Sequence, residues 1–222
     1  MGDILYTKDK SVLLKYPPQK KATSYNVSSD VKQIAGNAFG DCANLQEVVV
    51  PDGVTGLGER VFANCVSLSK VTLSNQIKEV PERTFENCKC LLEVVLAEET
   101  SKIGNYCFTG CSSLLQLELP NTVSEFGRGA FFGCAALSSF EVPQKVTIIP
   151  AECFFECESL NDIVLNDGVK EIGDSAFQGA KNMESIIVPA SVEKVGYSVF
   201  LNCDNLMVYG CTDVAKNAAQ ES

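Results

Sequence analysis

The 222-residue chain contains no histidine and no tryptophan. The absence of histidine removes the commonest general base and the commonest metal ligand together. No stretch approaches the roughly 18 consecutive apolar residues of a membrane helix. Residues 1–10 hold no apolar segment of the kind a secretory leader carries. Tyr6 stands where a myristoylation signal starting at Gly2 wants Ser or Thr. There is no G-x-S-x-G, no Walker loop, no H-E-x-x-H and no dinucleotide fingerprint. Asn26-Val27-Ser28 fits a glycosylation acceptor, a triplet that also arises often by chance. These absences predict a chain that is not an enzyme, needs no cofactor and inserts in no membrane.

Positive charge is scarce and unevenly placed. The net charge is −10, from 18 Lys and Arg against 28 Asp and Glu. Residues 1–32 carry six Lys and three Asp, so the rest of the chain is the acidic part, at −13. A surface of that sign repels phosphate backbones, which argues against nucleic acid as a partner.

What the chain has in abundance is order. Phe39, Phe62, Phe85, Phe108, Phe131, Phe154, Phe177 and Phe200 follow one another at intervals of 23 residues without a slip. A fixed period of this length means stacked supersecondary units, each burying its apolar face against the next. The first copy runs over 31–53, with apolar Val31, Ile34, Ala38, Phe39, Cys42, Leu45, Val48 and Val50. Stepping by 23 from Val48 ends at Ile186 and Tyr209, and from Val50 at Val188 and Cys211. The Leu-x-x-Val-x-Val ending alternates with period 2 and predicts one short strand per copy, stacked into a parallel sheet. At ~4.8 Å per strand the sheet would be roughly 40 Å long.

Proline and glycine sharpen this reading. Pro51, Pro120, Pro143 and Pro189 directly follow the expected strand, where a missing N–H does no harm. Pro81 and Pro150 stand where other copies have Gly58, Gly104, Gly127, Gly173 or Gly196. Proline cannot take a positive φ, so these glycines are expected to serve close backbone approach and not a left-handed turn. Residues 38–42 suit a single helical or 3₁₀ turn on the outer side, with the phenylalanine pointing inward.

The ends read differently from the middle. Ile4-Leu5-Tyr6 and Val12-Leu13-Leu14 flank a polar stretch and predict a β-hairpin over residues 1–23 that caps the first edge. The repeat array then spans 24–211, beginning with a half copy in which Tyr25 and Val27 form a strand zero. Residues 212–222 form a tail, and the composition of 213–220 (DVAKNAAQ) favours a short capping helix.

The pattern Ile-x-x-x-Ala-Phe-x-x-Cys-x-x-Leu-x-x-Val-x-Val-Pro, repeated in register, resembles the BspA-type leucine-rich repeat, a 23-residue class of bacterial and protist proteins. Leu5-Tyr6 to Tyr16-Pro17-Pro18 resembles the hairpin that often precedes such arrays. The resemblance implies a right-handed leucine-rich-repeat solenoid with a parallel sheet on its concave face and turns or 3₁₀ segments on its convex face. It also implies surface association and adhesion to host or matrix proteins.

Eleven cysteines call for an explanation. Cys42, Cys65, Cys88, Cys111, Cys134, Cys157 and Cys203 share one repeat position, with Ala180 in the eighth copy's place. An odd total and an alanine in the slot point to a ladder of buried, reduced thiols that pack like small hydrophobes. Cys107 and Cys153 replace the alanine of the Ala-Phe pair, and two repeats of separation is too far to bridge. Cys88-x-Cys90 is a weak echo of a metal site.

The outward strand positions are where function is expected. Glu47, Glu93, Glu118, Glu141 and Asp162 make this face acidic, Lys70 is its lone base, and Val49, Val95, Val164 and Ile187 place exposed apolar side chains among them. An acidic face with β-branched apolar residues suits a protein partner better than a hydrolase cleft. The same residues also occur on strands through β-propensity alone. Three functional readings follow: protein binding or adhesion through this face; an intracellular scaffold, favoured by the reduced-looking thiols; and a redox or metal-binding cysteine array. The resemblance points to the cell surface, the missing leader and free thiols to the cytoplasm.

Overall fold

The structure is a computed structural model that describes residues 2–210; the expected capping helix over 213–220 and Cys211 lie outside them. The described residues form a β-solenoid, with no helix among them. Every copy but the one over 100–122 contributes two short strands where the sequence suggested one. The longer set runs Ser24–Asn26, Glu47–Val49, Lys70–Thr72, Glu93–Val95, Ser139–Glu141, Asp162–Val164, Ser185–Val188 and Met207–Gly210. The shorter set runs Gln33–Ile34, Gly56–Leu57, Glu79–Val80, Lys102–Ile103, Glu125–Phe126, Ile148–Ile149, Glu171–Ile172 and Lys194–Val195. Two residues are too few to show a period, so only stacking reveals the second set.

The segment around each phenylalanine is neither helical nor 3₁₀. Asn37 and Asp41 take positive φ (56° and 65°), and so do their equivalents, among them Arg60, Arg83, Tyr106 and Glu152. Left-handed residues recur in pairs four apart, and between them every second N–H points the same way. Ala38, Gly40 and Cys42 donate their N–H groups back to Ala35, Asn37 and Phe39. Asn37, Phe39 and Asp41 donate theirs forward, to the carbonyls of Glu59, Val61 and Ala63, each at 2.9 Å. The same three bonds recur at every junction up to Ser175, Phe177 and Gly179. A left-handed residue costs about 1–2 kcal/mol when it is not glycine, and this unbroken ladder offsets that cost.

The ladder has polarity: its N–H groups face the C-terminal end and its carbonyls the N-terminal end. The N-terminal residues meet those carbonyls. Tyr16 donates its N–H to Ala38 O at 2.8 Å, and the Lys15 ammonium reaches Gly40 O at 3.4 Å beside its shorter bond to Asn37 O at 2.7 Å. A cation against a row of aligned carbonyls is the arrangement such a dipole favours. The hairpin pairs Leu5–Tyr6 antiparallel with Val12–Lys15, which is also the first parallel rung of the short-strand ladder.

Inside, the eight spine phenylalanines are 0–1% exposed and stack ring on ring, with centroids 5.1–5.8 Å apart. Tyr16, 23 residues before Phe39, extends the stack at 5.4 Å. The ladder thiols do more than pack. Cys65, Cys88, Cys111, Cys134, Cys157 and Cys203 each donate an S–H to the carbonyl of a spine residue in the preceding coil, at 3.0–3.2 Å. Ten described cysteines are free, and only Cys90 among them is exposed. Cys88 and Cys90 therefore do not converge on one point, and the metal echo falls.

Glycine behaves as the prolines suggested. A Cβ on Gly104 would lie 2.6 Å from the main chain of Pro81 and Glu82, and one on Gly127 would lie 2.3 Å from Asn105 N. The N–H groups of Gly58, Gly104, Gly127, Gly173 and Gly196 each bond to the previous coil. Pro81 and Pro150 have no N–H to offer, and the short-strand sheet breaks at those two coils.

Candidate functional site: the interrupted strand face

The long-strand face is not one sheet. It divides into a four-stranded sheet ending at Glu93–Val95 and two pairs, Ser139–Glu141 with Asp162–Val164 and Ser185–Val188 with Met207–Gly210. The strand expected through Leu117 and Leu119 does not form: Leu115 O still accepts the Ser138 N–H at 3.1 Å, but residues 116–121 belong to neither neighbour's ladder. Glu118 and Glu141 are thus not laddered neighbours, and neither are Val164 and Ile187, contrary to the one-strand-per-copy expectation.

The break lies beside an overfilled coil. Phe140 takes a core position held by aliphatics in every other full copy except the last, where the position is Tyr209 by count; the half copy at the start has Tyr25 there. Phe126 likewise takes a place held elsewhere by Ile, Leu or Val. Phe140 packs edge-on against Phe131 and Phe154, 4.9 Å from each, and Phe126 edge-on against Phe131 at 5.6 Å. Extra ring volume in a close-packed interior must displace its surroundings. Core side chains open up accordingly: Val50, Leu73 and Val142 are 1–4% exposed, whereas Leu96, Leu117 and Leu119 are only partly buried.

Two clefts flank the displaced segment, of about 420 and 630 Å³. Glu118, Glu141 and Asp162 line the first; Glu93, Glu98 and Glu118 line the second; no Lys or Arg lines either. On the N-terminal side one cation stands between the carboxylates. Glu47, Lys70 and Glu93 are laterally paired, and the Lys70 ammonium bonds Glu93 at 2.9 Å, which holds its pKa above the usual lysine value. Val49, half-buried, and Val95 flank Thr72 in the neighbouring row.

The C-terminal end is apolar. Val164 is 53% exposed and Ile187 71%. The last copy is one residue short, reading Leu206-Met207-Val208, so Val208 pairs with Ile186 and Tyr209 pairs with Ile187. A one-residue slip moves every side chain to the other face. Tyr209 and Met207, not singled out in the sequence, are thereby exposed on this surface (51% and 57%), and Tyr209 is not the core residue its count implied. The shortened Leu-x-Val spacing was the signal available. Among the described residues no group of three or more His, Cys, Asp or Glu is placed to hold a metal ion, and no helix is long and apolar enough to cross a membrane.

The sequence profile of the BspA type leucine rich repeat region matches residues 18–99 and 81–207. The chain belongs to that family. None of the curated proteins compared with it matches. A crystallised leucine rich repeat protein of T. pallidum is 26% identical, with a TM-score of 0.71 over 98% of this chain and 91% of that one. A leucine-rich repeat protein of Bacteroides ovatus is 24% identical, with a TM-score of 0.68 over 95% of this chain and 66% of that one. A leucine rich cell surface protein of Faecalibacterium prausnitzii is 25% identical, with a TM-score of 0.64 over 95% of this chain; the chain spans about half (53%) of that protein. Leucine-rich-repeat architecture is shared with all three, and such arrays are protein-interaction modules.

Proposed function

We propose that this array is a non-enzymatic binding module that meets another protein through its long-strand face, with adhesion to host or matrix proteins as its role. The observation that carries the reading is the apolar end of that face: Val164, Ile187, Met207 and Tyr209 are all more than half exposed. A cluster of exposed aliphatic, aromatic and methionine side chains, bordered by carboxylates, has the composition of an interface core with a polar rim. The F. prausnitzii relative, described as a cell surface protein, supports a surface role.

Binding of the purified chain to a panel of immobilised extracellular-matrix proteins tests this. Ile187→Asp should weaken capture by about tenfold or more, because a buried apolar anchor is replaced by an unpaired charge. Tyr197→Asp, at an exposed position outside the long strands, should leave it unchanged. Failure to bind any matrix protein, or indifference to Ile187→Asp, would remove the adhesion reading. An intracellular scaffold is the second reading, favoured by the buried free thiols. Counting thiols in denaturant separates the two: eleven titratable thiols favour the reducing compartment, and paired cysteines favour export.

A further inference from the structure

We infer that the opened middle of the strand face takes an extended segment of a protein partner bearing lysine or arginine, which adds as a strand to the unpaired edges beside residues 116–121. This rests on the reading that the face binds protein, and it names the chemistry of what is bound.

Three observations converge. The first is unpaired main chain. At intact junctions Val50, Leu73 and Val142 donate their N–H groups across the face to Thr72, Val95 and Val164, at 2.8–3.0 Å. Leu96, before the displaced segment, and Leu119, within it, are the equivalent residues and make no such main-chain bond among the described residues. Glu93–Val95 therefore ends one sheet and Ser139–Glu141 begins another, with open edges facing the gap. An unprotected strand edge is a template for another strand, and natural proteins otherwise cover it, bend it or place lysine on it. No lysine stands among the residues lining the gap, and the prolines there, Pro120 and Pro143, lie past the strand ends.

The second observation is charge. Five carboxylates line the two clefts, from Glu93, Glu98, Glu118, Glu141 and Asp162, without one cation among the lining residues. Lys70, the base nearest in register, is already engaged with Glu93. An incoming ammonium or guanidinium would relieve repulsion between carboxylates, and an acidic ligand or a nucleic acid would add to it. The third is the apolar floor. Leu96, Leu117 and Leu119 are partly open, and Leu92 and Leu115 on the rim are more than half exposed. A strand presents alternate side chains to opposite sides, so basic residues can reach the carboxylates while apolar ones lie on the leucines. A helix would not suit this site, because its main-chain groups are already paired.

The probe is a fluorescein-labelled (Lys-Val)₄ peptide, with (Glu-Val)₄ and a (Lys-Val)₄ peptide N-methylated on alternate residues as comparisons, read by fluorescence anisotropy. The lysine peptide should bind and the glutamate peptide should not. Glu118→Gln with Glu141→Gln should weaken binding about tenfold, as should raising salt from about 0.05 to 0.5 M. Glu59→Gln with Glu193→Gln changes net charge equally but lies outside the clefts, and should have little effect. Equal binding of the N-methylated peptide would overturn strand addition. Equal sensitivity to both glutamine pairs would reduce the effect to net charge and overturn the site. Self-association that Glu118→Gln and Glu141→Gln abolish would put a second copy's lysine-bearing N-terminal stretch in the gap and overturn the partner proposal. If these outcomes remove the site while Ile187→Asp still abolishes matrix capture, the broader reading of the face stands; if Ile187→Asp is also silent, both fall.

Discussion

Replacing Phe108 by alanine tests the spine. The ring is fully buried and stacks on Phe85 at 5.1 Å (13° between planes) and on Phe131 at 5.6 Å (7°). Removing a buried phenylalanine costs about 3–5 kcal/mol, combining lost transfer energy with the cavity left behind. Each aromatic pair adds about 0.5–1.5 kcal/mol beyond area, and Phe108 belongs to two such pairs. The upper half of that range, about 4–5 kcal/mol, is therefore expected. Phe200 has one described ring neighbour, at 5.8 Å, so Phe200→Ala should cost about 1–2 kcal/mol less. In a repeat array, stability is close to a sum of unit and nearest-neighbour terms, so Phe108→Ala also weakens two interfaces at once. Urea unfolding followed by far-ultraviolet circular dichroism should show a lower midpoint. Amide hydrogen exchange of the coils before residue 85 should separate from that of the coils after residue 131 as the halves uncouple. A cost under about 2 kcal/mol, or equal costs at 108 and 200, would refute the argument that the ring stack carries cooperativity along the array.

Burial pushes the Cys88 and Cys134 thiols from the ordinary 9.0 to about 12, and raises Cys107, Cys111, Cys153 and Cys157 as well. The unfolded chain then loses these protons first, so the stability these thiols contribute is full below pH 9 and falls as pH rises above it, through about 12 for Cys88 and Cys134. Urea midpoints against pH check the slope, which Cys88→Ala with Cys134→Ala should reduce; a flat profile above pH 9 would contradict the buried ladder. Native alkylation should modify Cys90 well before any other described cysteine, as mass spectrometry can show, because only that thiol is exposed. Gly104→Ala should destabilise by about 1–3 kcal/mol, since its Cβ would meet backbone at 2.6 Å. Gly133→Ala meets nothing nearer than 3.8 Å and should lose only the cost of its positive φ, about 1–2 kcal/mol; equal shifts in urea midpoint with a relaxed Gly104 site would show that close approach is not what holds glycine there.

The order of residues dictates the solenoid, the inward spine and the buried thiols, because a 23-residue period forces equivalent residues into equivalent places. It also determined why glycine recurs before the turn: a proline in the same slot excludes a positive φ, leaving close approach as the reason. Three features lay beyond it. The left-handed backbone at Arg60, Arg83 and Tyr106 has no composition signal, unlike that at Asp41, Asn64, Asn87 and Gly110, since the ladder between coils imposes it against local preference. The outward turn of Tyr209 depends on a single missing residue, which a strict count of 23 hides. Where the strand face opens is a matter of volume. Phe126 and Phe140 each read as an ordinary apolar residue in an ordinary slot, and only when both rings meet Phe131 in one coil does the packing exceed what the ladder beside it can hold. Periodicity specifies which face a residue takes; the sum of side-chain volumes in three dimensions decides where the periodic structure gives way, and with it where a partner can enter.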